Sequence, residues 1–374
     1  MLPFGMEWLV TAQISIMKIL VVRLSSLGDI LHLFPAVSDL RRHFPDAEIH
    51  WLVEPAFSEL AGWHSSIDKV IAAPLRSHKK IWWKIPALLY KLRQQLRSEN
   101  YNIVLDAQGL LKSALLACLA GTDICGFDAG SAREAPASWF YKITAKVPKG
   151  LHVVEKNRQL VATIFGADIS PPADFGLDKF LNLQMQAEFS EALKAITDRP
   201  YIVLLHGTTW NSKYWPETSW KELIRLLGQQ GIRCLLPWGN EGERLRALRL
   251  QVAGNGKAEM LPRLTLVELV GVLLKARAFV SVETGIGHLA TILDVPGVML
   301  HGPTDPDYSG ILDKACKHIT SGLYCSPCFM RDCPRIQTSR EIPPCQQEIR
   351  SMQVYEQCMA LITPGHQGVC HISC

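Results

Sequence analysis

No run of eighteen uncharged apolar residues occurs in this chain, which excludes a membrane-spanning helix. The first sixteen residues, "MLPFGMEWLVTAQISI", lack the basic start and small-residue cleavage site of a secretory signal. They precede Met17-Lys18 and a strand-like run, and are expected to be an extension or an upstream start. The expected location is therefore cytoplasmic. The G-x-G-x-x-G dinucleotide fingerprint is missing after that first strand-like run, where two more glycines would be needed. There is no short internal repeat. Acidic residues are absent between Asp68 and Glu99, while Lys69, Arg76, Lys79, Lys80, Lys84, Lys91, Arg93 and Arg97 all fall inside. Apolar Ile81, Ile85, Leu88, Leu89, Leu92 and Leu96 recur there at helical spacing, with Trp82 and Trp83 at the start. Such a helix suits an anionic membrane surface or a phosphorylated ligand, or a solvated face over a core.

What remains has the composition of a globular protein: 374 residues, 48% hydrophobic and 20% charged, with a net charge of +4. That length favours two domains over one core. Each half alternates strand-like and helix-like runs, the pattern of parallel sheets with crossover helices. Strands are expected near 18–24, 48–53 and 102–106. The Pro-rich "ISPPADFGLD" (169–178) and "DRP" (198–200) bracket the boundary. The second half restarts with "YIVLLHG", a helix from Pro216 to Gln230, "IRCLLPWG", a helix near 241–253, "AFVSVE", a helix opening at Thr284, and "PGVMLHG". The expected fold class is α/β, two doubly wound units in tandem, with ligands beyond the carboxyl ends of the strands.

Four stretches carry chemistry. In "RLSSLGDILH" a strand ends in small residues, Ser26 and Gly28 among them, followed by Asp29. That carboxylate suits a general base or a helix cap. In "HGTTWNSKYWPETSW" Thr208, Thr209 and Lys213 supply hydroxyl donors and a point cation, which is what a departing diphosphate needs; a polar loop with a solvated lysine is the alternative. In "SVETGIGHLATIL" Glu283 ends a strand, and Thr284, Gly285 and His288 lie at a helix start whose free N–H groups attract anions. His288 reads equally as a phosphate contact or a buried structural histidine. In "PWGNEGERLRA" Glu241 and Glu243 sit where a carboxylate accepts from ribose hydroxyls, or simply favours a helix start. The Asp-x-Asp of "GPTDPDYSG" (Asp305, Asp307) is ordinary Pro-rich turn chemistry, and no metal is expected there. Eight of the eleven cysteines lie from Cys316 onward. The spacing of Cys325, Cys328, Cys333 and Cys345 permits a four-thiolate metal site but fits no standard ligand pattern closely; unpaired thiols are the alternative.

Taken in order, "MKILVVRLSSLGDILHLFPAV", "DAQGLLKSA", "AREAPASWFY", "HVVEKNR", "HGTTWNSKYWPETSW", "LPWGNEGER", "TGIGHLA" and "GPTDP" resemble the bacterial lipopolysaccharide heptosyltransferases of glycosyltransferase family 9, closest to the heptosyltransferase I branch. The "CSPCFMRDCP" tail resembles the end of the second and third heptosyltransferases. The resemblance covers roughly residues 17–312. It implies a GT-B fold, two facing Rossmann-like domains with a cleft between them. An N-terminal extension over 1–16 would precede an acceptor-binding domain over 17–182. A nucleotide-sugar domain with the Cys-rich segment would span 183–345, and a C-terminal helix and tail 346–374.

It also implies inverting transfer of L-glycero-D-manno-heptose from ADP-heptose to Kdo2-lipid A on the cytoplasmic face of the inner membrane. No cofactor and no nucleic acid would be needed. By position, Asp29 would be the base and Lys213 the catalytic cation. Thr208, Thr209, Lys213, Glu243, Glu283, Thr284, Gly285 and His288 would bind donor. Ser26, Gly28, Arg76, Lys80, Lys112 and Arg133 would bind acceptor. Glu283 stands where relatives usually carry Asp. Three alternatives stay open: a second or third heptosyltransferase, a nucleotide-dependent oxidoreductase or epimerase, and a non-catalytic nucleotide-binding protein.

Overall fold

The computed structural model describes residues 16–73, 85–186, 190–311, 315–338 and 341–363. The chain divides into two compact units, Met1–Leu183 and Gln184–Cys374. In the first, six strands pair: β1 (Lys18–Val22), β2 (Glu48–Val53), β3 (Lys69–Ala72), β4 (Ile103–Asp106), β5 (Ile124–Phe127) and β6 (Ile143–Ala145). Every pairing is parallel, in the order β3-β2-β1-β4-β5-β6. The second unit has β7 (Tyr201–Leu205), β8 (Arg233–Leu236), β9 (Ala258–Met260), β10 (Ala278–Val282), β11 (Gly297–His301) and β12 (Cys316–Thr320). These too pair only in parallel, in the order β12-β11-β10-β7-β8-β9. Numbered from its own start and read from the β9 end, the second sheet repeats the first, 3-2-1-4-5-6. This is the doubly wound order, in which ligands collect where the winding reverses.

The strand sequences explain the layering. "KILVV", "YIVLL" and "AFVSV" are near-continuous apolar runs, and apart from half-buried Lys18 all their residues are buried, as parallel strands covered on both faces must be. Crossover helices bring the apolar stripes that cover them. On one face of the first sheet, Leu92 and Leu96 of the helix Ile85–Ser98 join Leu20, Val22, Leu52 and Val104. In the second unit the T-shaped pair Trp215 and Trp220, 4.9 Å apart, anchors a core that includes Leu223, Ile224, Leu227, Val280 and Val298. The C-terminal helix Ser351–Ile362 places Val354 and Cys358 in that same core.

Three expected strands of the first half are present, within two residues of their predicted ends. The sheet has three more, β3, β5 and β6, only three or four residues long. The expected basic helix is present over 85–98, with Lys91, Arg93 and Arg97 exposed opposite the buried leucines. Its predicted start, with Ile81, Trp82 and Trp83, lies outside the described residues, as do Arg76 and Lys80. Among the described residues no helix is long and apolar enough to cross a membrane.

Candidate active site

In the first unit, the reversal falls between β1 and β4, and Asp29 stands just beyond β1. The helix Leu27–Leu31 opens there, and Asp29 reaches back over its first turn. Its Oδ2 accepts from the Ser26 backbone N–H at 3.0 Å and from Ser26 Oγ at 2.9 Å. Its Oδ1 accepts from Arg23 Nη2 at 2.8 Å. Burial alone would raise the pKa of this carboxyl; the Arg23 charge and the two Ser26 bonds outweigh it and hold the pKa at about 2. The helix-cap reading of Asp29 is met, since it completes a capping box with Ser26, and the same side chain is held as an ionised carboxylate. Gly28 is buried beside it and Ser26 is exposed.

Arg23 was not singled out in the sequence, although it opens the motif. Its guanidinium is buried and also donates to the carbonyl of Ala107, just past β4. The same loop sends Gln108 Oε1 to the Leu24 N–H at 2.7 Å. Asp106 fastens it from below: fully buried, it accepts from Gln108 and Gly109 N–H, Ser113 Oγ and Tyr141 Oη. Burial pushes the Asp106 carboxyl up against those four bonds. The loops after β1 and β4 are thus tied together, and Asp29 is held by a preset scaffold.

The cations expected for an acceptor divide. Lys112 is committed to the buried Glu54 carboxylate at 2.7 Å. Arg133 is exposed and pairs with no carboxylate among the described residues. Lys156, which sequence reading passed over inside "HVVEKNR", donates to the Ser131 carbonyl at 2.9 Å and lies 4.9 Å from the Phe127 ring centre. Burial, and then the charges of Arg23 and Arg133, push its ammonium pKa down. Arg23, Arg133 and Lys156 therefore share one electropositive neighbourhood, and Arg23 links it to Asp29.

In the second unit, the reversal falls between β7 and β10. The turn Asn211–Lys213 follows β7 and buries Lys213. Its ammonium pairs with Glu283, just past β10, and lies 4.2 Å from the Trp210 ring centre. Glu283 Oε1 lies 3.0 Å from His288 Nε2. Burial would raise the Glu283 pKa, but His288 and Lys213 together hold it far below the usual carboxylate range. Glu283 is thus the counter-ion that fixes Lys213, and His288 is the buried partner that fixes Glu283. The helix Gly285–Ile292 starts between them, and Thr284 at its N-cap makes no side-chain capping bond. Gly287 lets this helix lie close on the sheet, since a Cβ there would come within 2.6 Å of Ser281 Oγ.

Thr208 and Thr209 lead into the same turn, Thr208 buried and Thr209 exposed. Tyr214 Oη donates to the Thr208 carbonyl at 2.8 Å, and the Arg246 guanidinium lies 3.9 Å from the Tyr214 ring centre. Glu241 pairs with Arg244 on the surface. Glu243 instead turns inward, its Oε2 accepting from Gly239 N–H at 2.7 Å, and its side chain crosses Gly207. A Cβ at Gly207 would sit 2.6 Å from Glu243 Cδ, so this position must be glycine for Glu243 to lie there. Asp305 caps the turn that follows β11, accepting from Asp307 N–H at 2.9 Å. Among the described residues no three His, Cys, Asp or Glu side chains are grouped to hold a metal ion. Cys325, Cys328, Cys333 and Cys345 are free thiols.

The sequence profile of "Glycosyltransferase family 9 (heptosyltransferase)" matches residues 89–338. The chain belongs to glycosyltransferase family 9. It is 38% identical over 359 residues to "Lipopolysaccharide heptosyltransferase 1" of Pseudomonas aeruginosa, covering 92% of this chain and 98% of that one. It is 39% identical over 302 residues to the protein of that name from Escherichia coli K12, covering 79% and 90%. The structure of E. coli heptosyltransferase WaaC with ADP superposes with a TM-score of 0.76 at 33% identity, covering 92% of this chain and all of that one. This family member is a glycosyltransferase with the GT-B fold of two Rossmann-like units. Relatives named heptosyltransferase 2 match at only 23% and 26% identity, so the heptosyltransferase II or III alternative is not favoured.

Proposed function

We propose that this heptosyltransferase moves L-glycero-D-manno-heptose from ADP-heptose to the Kdo of Kdo2-lipid A, inverting the anomeric centre. The observation that carries the reading is the 38% identity to a heptosyltransferase 1 over 92% of the chain. Chemistry supports it. The acceptor hydroxyl attacks the anomeric carbon while ADP leaves from the opposite face. Asp29 receives the hydroxyl proton. With a pKa of about 2 it is fully ionised at neutral pH, yet a weak base toward a free alcohol. Proton transfer therefore follows, rather than leads, formation of the new C–O bond, which makes the hydroxyl strongly acidic. A positioned base of this kind contributes on the order of 10²–10⁴-fold.

On the donor side, Lys213, the hydroxyls of Thr208 and Thr209, and the helix start at Thr284 meet the charge growing on the departing diphosphate. Glu283 and His288 keep Lys213 in place. In this reading that charge is met without a divalent cation, and Glu243 accepts from the ribose. On the acceptor side, Ser26 and Gly28 line the approach to Asp29. Arg133 and Lys156 meet the acceptor's anionic groups, and the exposed Lys91, Arg93 and Arg97 of the helix Ile85–Ser98 face the anionic inner-membrane surface that carries it. The test is to incubate the purified protein with ADP-heptose and either Kdo2-lipid A or its heptosylated form, in EDTA. Kdo2-lipid A should gain one heptose mass. Gain only on the heptosylated form would assign a later step, and no gain on either would remove the reading.

A further inference from the structure

The Cys-rich segment drew notice for its thiols, yet its bonds point elsewhere. Residues 326–332 are fastened to the turn that carries Lys213 and to the loop that follows β11. Ser212 N–H donates to the Arg331 carbonyl at 3.1 Å, and Ser212 Oγ to the Met330 carbonyl at 2.5 Å. Asn211 Nδ2 donates to Asp332 Oδ1 at 3.0 Å. On the other side, Cys328 and Phe329 N–H both donate to the Pro303 carbonyl, at 3.1 and 2.8 Å, and Ser326 Oγ donates to the Gly302 carbonyl. Phe329 meets Tyr308 edge to face, ring centres 5.4 Å apart. Trp210 joins the two parts: Lys213 lies 4.2 Å and Arg331 5.9 Å from its ring centre.

The turn Asn211–Lys213 is one three-residue 3-10 turn, too short to hold its shape alone. Glu283 holds the ammonium from within, and inside the turn Lys213 N–H to the Trp210 carbonyl at 3.1 Å and Tyr214 N–H to the Asn211 carbonyl at 3.4 Å fix the backbone that carries it. Segment 326–332 also does so from outside, through two bonds to Ser212 and one to Asn211. We propose that Ser326–Asp332 is a positioning strap that sets the Lys213 turn in the shape that receives a diphosphate. Asp332 and Ser212 are its positioning residues. The proposal rests on the reading of Lys213 as the diphosphate cation.

The test compares Asp332→Ala, the double variant Ser212→Ala/Asp332→Ala, and Asp332→Asn, whose amide oxygen still accepts from Asn211. Lys213→Ala is run beside them. Readouts are ADP affinity by calorimetry, KM for donor and for acceptor, and Tm. Each lost bond weakens ADP binding and raises donor KM about fivefold, the usual worth of one hydrogen bond. Acceptor KM stays put, and Asp332→Asn restores the donor values. Asp332 is on the surface, so Asp332→Ala alone decides the matter should the double variant fail to fold. Unchanged ADP affinity and donor KM in Asp332→Ala, beside a weakened Lys213→Ala, would overturn the strap. So would a fall in Tm with both KM values unmoved. Unchanged ADP affinity in Lys213→Ala itself would instead remove the donor reading on which the strap depends.

Discussion

The two units share one strand order and use the same place in it for opposite charges. Beyond β1 the outward group is a carboxylate, Asp29, whose side chain is 27% exposed, and the buried counter-ion is Arg23 at 8%. Beyond β7 the working group is a cation, Lys213, 11% exposed, and its counter-ion Glu283 is 8% exposed. In the proposed function each ion pair has one member that faces the chemistry and one that sets its state. The difference lies in freedom. Asp29 keeps an open side for a hydroxyl to approach, whereas Lys213 is gripped by Glu283, Trp210 and a strap. A base must meet a substrate atom that moves; a diphosphate cradle works best already assembled.

The contrast can be broken at four points. The largest effect belongs to Asp29→Ala, which should lower kcat by about 10²–10⁴ and leave ADP affinity at the wild-type value, as steady-state kinetics and calorimetry will read. Next, Lys213→Met should cost about 10²-fold in kcat/KM, the usual worth of one preorganised charge-stabilising donor. It should also lower Tm, because Glu283 is left buried without its cation and with His288 as its remaining partner, a cost of up to about 3–5 kcal/mol. Adding Glu283→Gln should recover Tm but not turnover, which separates the structural half of the pair from the chemical half.

A third variant concerns pH. Asp29 is depressed in the folded state, so the stability it contributes is present above its unfolded value, about 3.9. That contribution is lost as pH falls through about 2. Wild-type kcat/KM should therefore show no acid limb from Asp29 between pH 5 and 8 (roughly the usual range of maximal stability). In Arg23→Gln burial is opposed by the two Ser26 bonds and His32 alone, so the acid limb should move upward from its wild-type position. Identical profiles for the two proteins would mean that Arg23 does not set the state of Asp29. The smallest effect is expected for Gly207→Ala, whose Cβ displaces the Glu243 side chain. Donor KM should rise a few-fold with kcat unchanged.

Much of this was legible in the residues. The strand runs "KILVV", "YIVLL" and "AFVSV" announce buried parallel strands because they are almost wholly apolar, and the motif after each falls where the winding reverses. Short edge strands such as β6, three residues long, carry too little pattern to be read. The partners of the site residues were hidden for another reason. Sequence order places Lys213 and Glu283 seventy residues apart, and only the β7–β10 pairing makes them neighbours. The resemblance assigned Lys112 to the acceptor, and its ion pair with Glu54, likewise distant in the chain, is visible only in the fold. Around the cysteines the spacing of thiols says nothing of the backbone, which is occupied with holding two loops.

The central claim is that proton acceptance resides in the first unit and diphosphate recognition in the second. Calorimetric titration of ADP into Asp29→Ala and Lys213→Ala tests it most directly. The account predicts wild-type affinity for the first variant and affinity weakened about tenfold or more for the second. Loss of ADP binding in Asp29→Ala, or its full retention in Lys213→Ala, would contradict it.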